Sequence, residues 1–159
     1  MASINPQQGL MPSLLDRLID PEAGGTAWRH GYSVEQMVEA VHRDLEDLLN
    51  TRLVNIDIPE DCPETRRSLA GYGLPDLASL QAFTPEQRAE IGRILEATIA
   101  RFEPRLRDVR ATLVNPGETK ERTIRFRIDA RLCVEPAPEV AFDTILELST
   151  GHSTIERRA

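Results

Sequence analysis

Three consecutive residues carry the most suggestive side-chain chemistry in this chain. Glu103 and Arg105 place opposite charges on either side of Pro104, between the apolar residues Phe102 and Leu106. One interpretation is a helix stop with a surface ion pair, which contributes about 0–1 kcal/mol. The other is a binding site, because a proline holds both charged groups rigidly and a guanidinium forms paired hydrogen bonds with a partner. The residue chemistry leaves both interpretations open.

A second set of charges follows later in the chain. Arg125, Arg127 and Arg131 alternate with apolar residues, so they are predicted to lie on one face of a strand. Asp143 and Glu147 occupy similar positions in the next alternating segment, which is typical of ion pairs across a sheet. The alternative is an acidic partner, for which Arg125 and Arg127 are the candidate binding residues.

The remaining chemistry-bearing residues form no recognisable catalytic, cofactor or metal pattern. His30, His42 and His152 are scattered, and none pairs with a cysteine or carboxylate at ligand spacing. The short glycine segments lack the spacing and the lysine of a phosphate-binding loop. No local pattern suggests an activated serine or cysteine nucleophile. We therefore expect no catalytic residue, no cofactor and no metal.

Length and composition indicate a single globular domain that does not bind nucleic acid. The chain has 159 residues, a net charge of −7 and a pI near 5.0, whereas nucleic-acid binders carry a basic surface. Its two cysteines, Cys62 and Cys133, are too few for a disulfide framework, and Cys133 is predicted to lie in a buried strand. No targeting segment and no long apolar segment is present. A cytoplasmic location without membrane insertion is expected.

The helices are predicted from their start and stop signals. Ser33 with Gln36 and Thr84 with Gln87 have the spacing of capping boxes, and each precedes a segment with apolar residues at helical intervals. Pro104 is predicted to end the second of these helices. Ser13 is predicted to begin a short N-terminal helix. Residues 1–12 are then a flexible tail, and 13–159 form a single domain.

The second half of the chain changes to a two-residue period. Three alternating segments are predicted to form strands, with apolar residues on one face and charged residues on the other; they centre on 109–113, 124–134 and 140–148. Helices followed by strands indicate an α+β fold. We predict two main helices packed on one face of a three-stranded antiparallel meander, with the short N-terminal helix in addition.

Four segments give this order of elements a resemblance to a known family: "PSLLDRL" (12–18), "DLEDLLNTR" (44–52), "SLAGYGLPDL" (68–77) and "FEPRL" (102–106). Together with the strands that follow, they resemble the TssE family, the baseplate wedge proteins of bacterial type VI secretion systems. That family is similar to the gene-25-type wedge proteins of contractile phage tails. The resemblance covers roughly residues 10–150. Ala70 and Gly71 depart from it, because a bulkier and more polar pair is expected before "YGLPD".

The resemblance implies a structural baseplate subunit without catalytic activity. The implied partners are the wedge subunits TssF, TssG and TssK and the sheath subunits TssB and TssC, in an assembly docked at the inner face of the cell envelope. The sheet is implied to accept strands from the first sheath ring and so to help start sheath assembly. Glu103, Pro104 and Arg105 are implied to contact the wedge core. Substitution of Glu103 or Arg105 is then expected to block sheath assembly and to leave the isolated domain folded.

Two alternatives accompany this hypothesis. The family has carried a lysozyme label, but Arg105 favours an ionised Glu103, the wrong state for a general acid. No second carboxylate is marked by spacing as its partner in glycoside hydrolysis. The other alternative is an anti-adaptor of the same fold, which binds a response regulator. Co-purified proteins would distinguish it from a baseplate subunit.

Overall fold

The computed structural model describes residues 12–19, 32–54, 58–59, 61–77, 84–114, 123–134, 138–147, 150 and 152–157. The helices are α1 (Leu14–Ile19), α2 (Val34–Asn50), α3 (Pro63–Arg67) and α4 (Pro85–Phe102), with a short 3₁₀ turn at Leu69–Gly71. The strands are β1 (Leu106–Val114), β2 (Thr123–Leu132), β3 (Glu139–Glu147) and β4 (His152–Arg157). The predicted tail lies outside the described residues, except for Pro12, which is buried.

The two long helices begin where the sequence predicts, and α4 also ends there. The Ser33 hydroxyl accepts a hydrogen bond from the backbone N–H of Gln36, and the Gln36 side chain accepts one from the N–H of Ser33. Thr84 and Gln87 form the same capping box at the start of α4. Helix α4 ends at Phe102, two residues before Pro104, as expected from the steric restriction that a proline places on its predecessor.

The sheet is antiparallel and has four strands in the order β1-β2-β3-β4, so the three-stranded prediction was one strand short. Strand β4 has six residues, and its inward side chains are Ser153 and Ile155, which lie opposite Leu146 and Thr144. A single apolar residue on the inner face is too weak an alternation to identify a strand.

The prediction that Cys133 lies in a buried strand was also wrong. Strand β2 ends at Leu132, and the Cys133 side chain is exposed.

Helices α2 and α4 cover the inner face of the sheet and form one hydrophobic core with it. The fully buried side chains with the largest volumes come from both helices and from β2 and β3: Phe126, Phe142, Leu45, Leu48, Leu49, Ile91, Leu95, Ile99, Ile128, Leu132, Leu146 and Val41. The predicted α+β class, with two main helices on one face of the sheet, is confirmed.

Helix α2 also closes the edge of the sheet at β4. The Asn50 side chain bonds both backbone groups of Ser153, accepting from its N–H at 2.8 Å and donating to its carbonyl at 2.9 Å. His42 lies 3.0 Å from the carbonyl oxygen of Ile155 through its Nε2 atom. These are backbone groups that a further strand would otherwise bond. Side chains of a helix therefore occupy positions that strand addition would use.

Helix α4 covers part of the other edge, at β1. The Glu96 carboxylate accepts a hydrogen bond from the backbone N–H of Ala111 at 2.8 Å. Gly92 of α4 packs beside the same residue, since a Cβ atom added there would lie in ordinary contact at 3.4 Å from the carbonyl oxygen of Ala111. Near the start of β1 the pairing with β2 is irregular, and Asp108 has a positive φ of 56°. A bulge of this kind bends an edge strand and makes it a poorer template for pairing.

Candidate functional site

The Glu-Pro-Arg sequence forms the turn between α4 and β1. The backbone N–H of Glu103 donates to the carbonyl of Ile99 at 2.8 Å and completes the last turn of α4. The carbonyl of Glu103 then accepts from the N–H of Leu106 at 3.1 Å, which closes the turn at the first residue of β1. Pro104 is exposed at the apex. The turn is thus fixed by backbone hydrogen bonds on both sides.

The carboxylate of Glu103 points inward and serves its own turn. The residue is only 4% exposed. Its Oε1 atom accepts from the backbone N–H of Arg105 at 3.1 Å and from Nε at 2.6 Å, and its Oε2 atom accepts from Nη2. This is the paired geometry in which guanidinium and carboxylate interact most strongly. Glu103 therefore holds Arg105 in place.

Arg105 connects the turn to helix α2. Its Nη2 atom also donates to the carboxylate of Asp44 at 2.6 Å. Burial acts to lower the pKa of Arg105, but the hydrogen bonds and charges of Glu103 and Asp44 outweigh it and raise that pKa. The Arg105 side chain is 25% exposed. A permanently charged group thus sits at the surface end of the turn with its orientation fixed.

The ion pairs continue to the N-terminal helix. Asp44 accepts from Arg43 at 3.0 Å, and Arg43 also pairs with Asp16 of α1, which is only 1% exposed. Five alternating charges therefore join α1, α2 and the turn; they are Asp16, Arg43, Asp44, Arg105 and Glu103. We refer to them as the charge chain.

Sequence reasoning did not predict the charge chain because its partners are far apart in the chain. Asp16 and Arg43 are separated by 27 positions, and Asp44 and Arg105 by 61. No local spacing links residues at such distances. The sequence nevertheless contained a signal, since three of the four segments that carry the family resemblance include a residue of the charge chain.

Helix α1 buries its aspartate and exposes its leucines, which is the reverse of the usual arrangement in a surface helix. Its aspartate is buried, whereas Leu14, Leu15 and Leu18 are 71%, 51% and 82% exposed. Ser13 caps the helix, because its hydroxyl accepts from the N–H of Asp16 at 3.1 Å. Exposed apolar side chains that cluster on one short element are typical of a surface that binds a partner.

A groove of about 450 Å³ lies between α1 and the turn. Its lining residues come from α1, α2, the loop before α4 and the turn itself: Ser13, Leu15, Asp44, Asp47, Leu48, Tyr72, Phe102, Glu103, Pro104 and Arg105. The rings of Tyr72 and Phe102 meet edge to face at 5.3 Å. Burial raises the pKa of Tyr72, and the charges of Asp47, Asp44 and Glu103 raise it further. The phenol is therefore a neutral hydrogen-bonding group at the edge of an acidic groove.

The structure places the other two candidate residues away from this groove. Arg125 and Arg127 lie on the outer face of the sheet, and Arg125 is paired with Val114, at the end of β1 opposite the turn. The predicted pairing of Arg127 with Asp143 is confirmed at 3.5 Å. Arg125 instead faces Ile145 across the β2–β3 ladder. The Glu-Pro-Arg turn and these arginines are thus separate surfaces.

Two further kinds of site are absent from the described part of the chain. Within it, no group of three or more histidine, cysteine, aspartate or glutamate side chains is placed to hold a metal ion. None of the helices there combines the length and the apolar character needed to cross a membrane.

Replacement of Asp16 with asparagine is expected to reveal the pH dependence of the charge chain. Burial acts to raise the pKa of Asp16, but hydrogen bonds from Arg43 and Ser13 outweigh it and hold that pKa below 3.8. Because the folded-state pKa is depressed, the stabilising effect is present above pH 3.8 and is lost as the pH falls through the folded-state value. Near neutral pH we expect Asp16→Asn to lower the free energy of unfolding by about 2 kcal/mol.

Urea denaturation of both proteins over a series of pH values measures this effect. The difference between wild type and Asp16→Asn should shrink as the pH falls below 3.8. A difference that stayed constant across that range would show that the Asp16 charge contributes nothing.

The fold and the site define a class of protein: a small α+β domain whose polar turn is held by internal ion pairs beside exposed apolar side chains. The family model of the baseplate wedge protein gp25 matches residues 35–137 of the chain. The chain belongs to this family of baseplate wedge proteins, and the predicted resemblance is confirmed at the level of the family. Neither the curated proteins nor the solved structures yield a match.

Proposed function

We propose that this protein is a structural, non-catalytic baseplate subunit of a type VI secretion system. In this role it joins the wedge subunits to the contractile sheath and helps to start sheath assembly. The observation that carries the proposal is the family match, which spans α2, α4 and the Glu-Pro-Arg turn. A baseplate structural role follows from the family. The secretion system, the partners TssF, TssG, TssK, TssB and TssC, and the docking at the cell envelope are the proposed part.

The surface around the groove is the proposed contact with the wedge subunits. It combines the exposed leucines of α1, the apex at Pro104 and the exposed part of Arg105. Such a surface offers apolar area for binding and an oriented guanidinium for specificity. Glu103 contributes to this contact through Arg105, because its own carboxylate is buried and fully engaged.

Contact with the sheath is proposed to occur by strand addition at an edge of the sheet. The helix side chains that bond the two edge strands set a condition for strand addition. A strand that pairs along β4 must replace the hydrogen bonds of Asn50 to Ser153, and one that pairs along β1 must replace the bond of Glu96 to Ala111. The strand groups would stay hydrogen-bonded after such an exchange, while the displaced side chains of Asn50 and Glu96 would need water as a new partner.

The state of Glu103 supports a role without catalysis. A general acid in glycoside hydrolysis must be protonated and must reach the substrate. The carboxylate of Glu103 accepts hydrogen bonds from Arg105 at both oxygens and is 4% exposed. Both oxygens are therefore occupied by Arg105, and little of the carboxylate is accessible to a ligand in the groove.

Co-purification with the wedge and sheath subunits tests the proposal. We expect the double variant Leu14→Ser/Leu18→Ser to reduce recovery of the wedge subunits by at least about tenfold, since buried apolar anchors dominate binding energy. Both leucines are largely exposed in the isolated chain, so its stability should change little. Val54→Ser is the control, because Val54 is 64% exposed and lies in the segment after α2 and not on α1.

Three results would contradict the proposal. They are recovery of a response regulator in place of the wedge subunits, equal loss with Val54→Ser, and clearing of a peptidoglycan suspension by the purified protein. The last result would assign catalysis if Glu103→Gln abolished it.

A further inference from the structure

The outer face of the sheet is mainly basic over β1 and β2, where Asp108 and Asp129 are exposed exceptions, and acidic over β3 and β4. Its arginines all lie on β1 and β2: Arg107, Arg110, Arg125, Arg127 and Arg131. The acidic residues of β3 and β4 that share this face are Glu139, Asp143, Glu147 and Glu156. This concentration of arginines is unexpected in a chain with a net charge of −7. We refer to the β1–β2 half as the arginine face.

Only part of the arginine face is neutralised by neighbouring strands. Arg131 pairs with Glu139 at 2.9 Å and lies 4.0 Å from Asp108, and Arg127 pairs with Asp143 at 3.5 Å. Arg107, Arg110 and Arg125 are exposed. Among the described residues none of the three forms an ion pair, although Arg110 lies opposite Asp129 in the β1–β2 register.

The placement of the arginines suits an extended chain. Arg125, Arg127 and Arg131 occupy three of four successive outward positions of β2, with Asp129 at the remaining one, and the six residue steps from 125 to 131 span about 20 Å. An extended segment laid along the strand presents alternate side chains at the same repeat. Carboxylates at the positions of that segment opposite the three arginines would meet guanidinium groups, which bind carboxylates in a paired geometry.

We propose that the arginine face binds an acidic, extended segment of a partner polypeptide. The acidic half beside it limits where such a segment can lie, because carboxylates placed over β3 and β4 would be repelled. The same repulsion and the net charge of the chain disfavour a nucleic acid, which carries phosphates along its whole length. This surface is separate from the groove and from the sheet edges, so it does not depend on the function proposed for them.

Fluorescence anisotropy with a labelled peptide of alternating glutamate and threonine tests this inference. We expect binding that weakens as salt is raised, and about tenfold weaker binding by Arg110→Glu/Arg125→Glu. Arg93→Glu/Arg101→Glu makes the same change in net charge on exposed residues of α4 and is the control. It should bind the peptide like the wild type, and circular dichroism should show all three proteins folded.

Four outcomes would overturn the inference. Equally weak binding of the peptide by the α4 control would show that the loss of binding results from the net charge alone. Equal binding of a glutamine–threonine peptide would remove the role of carboxylates. Tighter binding of single-stranded DNA that is lost in Arg110→Glu/Arg125→Glu would make the face a nucleic-acid site. Sedimentation could also show that the wild type self-associates and that Arg110→Glu/Arg125→Glu does not. The arginine face would then bind a second copy of the chain. None of these outcomes affects recovery of the wedge subunits through α1.

Discussion

Replacement of Glu103 with alanine is expected to lower the free energy of unfolding by about 3 kcal/mol. The substitution removes the acceptor of three hydrogen bonds from Arg105, one from its backbone and two from its guanidinium. Among the described residues, Arg105 then keeps Asp44 alone as a counter-ion, while three quarters of its side chain stays buried. The turn that leads from α4 into β1 loses its fixed geometry as a result. Chemical denaturation of the isolated protein measures the loss.

Two further variants separate the contributions within the turn. Arg105→Ala leaves the carboxylate of Glu103 buried without its partner, so we expect a loss of similar size. The double variant should lose less than the sum of the two single variants, because each of them already removes the same interaction. Glu103→Gln keeps an acceptor for the backbone N–H and removes the charge, so an intermediate loss is expected.

Glu90→Ala is the matched control for Glu103→Ala. Glu90 pairs with Arg93 at 2.9 Å in the same helix that precedes the turn, but both side chains are more than half exposed. Exposed pairs contribute about 0–1 kcal/mol. If Glu103→Ala were no more destabilising than Glu90→Ala, the internal role of the Glu103 carboxylate would be wrong.

The burial of Glu103 changes how an assembly experiment must be designed. The sequence led us to expect that substitution of Glu103 or Arg105 blocks assembly while the domain stays folded. In the structure Glu103 supports the turn, so a loss of assembly would follow from a damaged fold as well as from a lost contact. The exposed leucines of α1 distinguish these causes, because their substitution leaves the charge chain intact.

Local signals made most of the fold predictable. Capping boxes at Ser33 and Thr84 set the starts of the two long helices, and the proline at 104 sets the end of α4, since each acts within four residues of its own position. The alternation in β2 was predictable because five inward positions, from Ile124 to Leu132, are all apolar and all buried. The same rule failed for β4, whose inward residues are Ser153 and Ile155.

The site was less predictable than the fold because it depends on contacts between distant segments. The sequence drew attention to Glu103 and Arg105, but it contained no indication that the carboxylate points inward. That orientation depends on Asp44, which anchors the guanidinium from another helix. The caps of Asn50 and Glu96 on the sheet edges are of the same kind, since each bonds a strand that is distant or separate in the chain.

Replacement of Gly73 with alanine is expected to have the other large effect, a loss of about 3–5 kcal/mol in the free energy of unfolding. Gly73 has a φ of +107°, a backbone conformation that side chains other than hydrogen rarely allow. A Cβ atom there would lie 2.4 Å from the carbonyl oxygen of Thr51. That oxygen accepts a hydrogen bond from the N–H of Leu74 at 2.8 Å, and the carbonyl of Leu74 accepts from Leu53 at 2.7 Å. The two nearest atoms to this Cβ belong to the backbone of Thr51, so a change of side-chain rotamer cannot relieve the clash.

Gly92→Ala is the control that isolates the effect of this conformation. Gly92 lies within α4, where alanine favours the helix by about 1 kcal/mol, and its added Cβ would lie 3.4 Å from Ala111 and Phe126. Its stability should therefore stay within about 1 kcal/mol of the wild type.

Displacement of Gly73 would also move Tyr72, which forms a wall of the groove against Phe102. Gly73→Ala should accordingly weaken recovery of the wedge subunits at temperatures where it is still folded. If its stability matched that of Gly92→Ala, the contact between the end of α2 and this loop would not determine the shape of the groove.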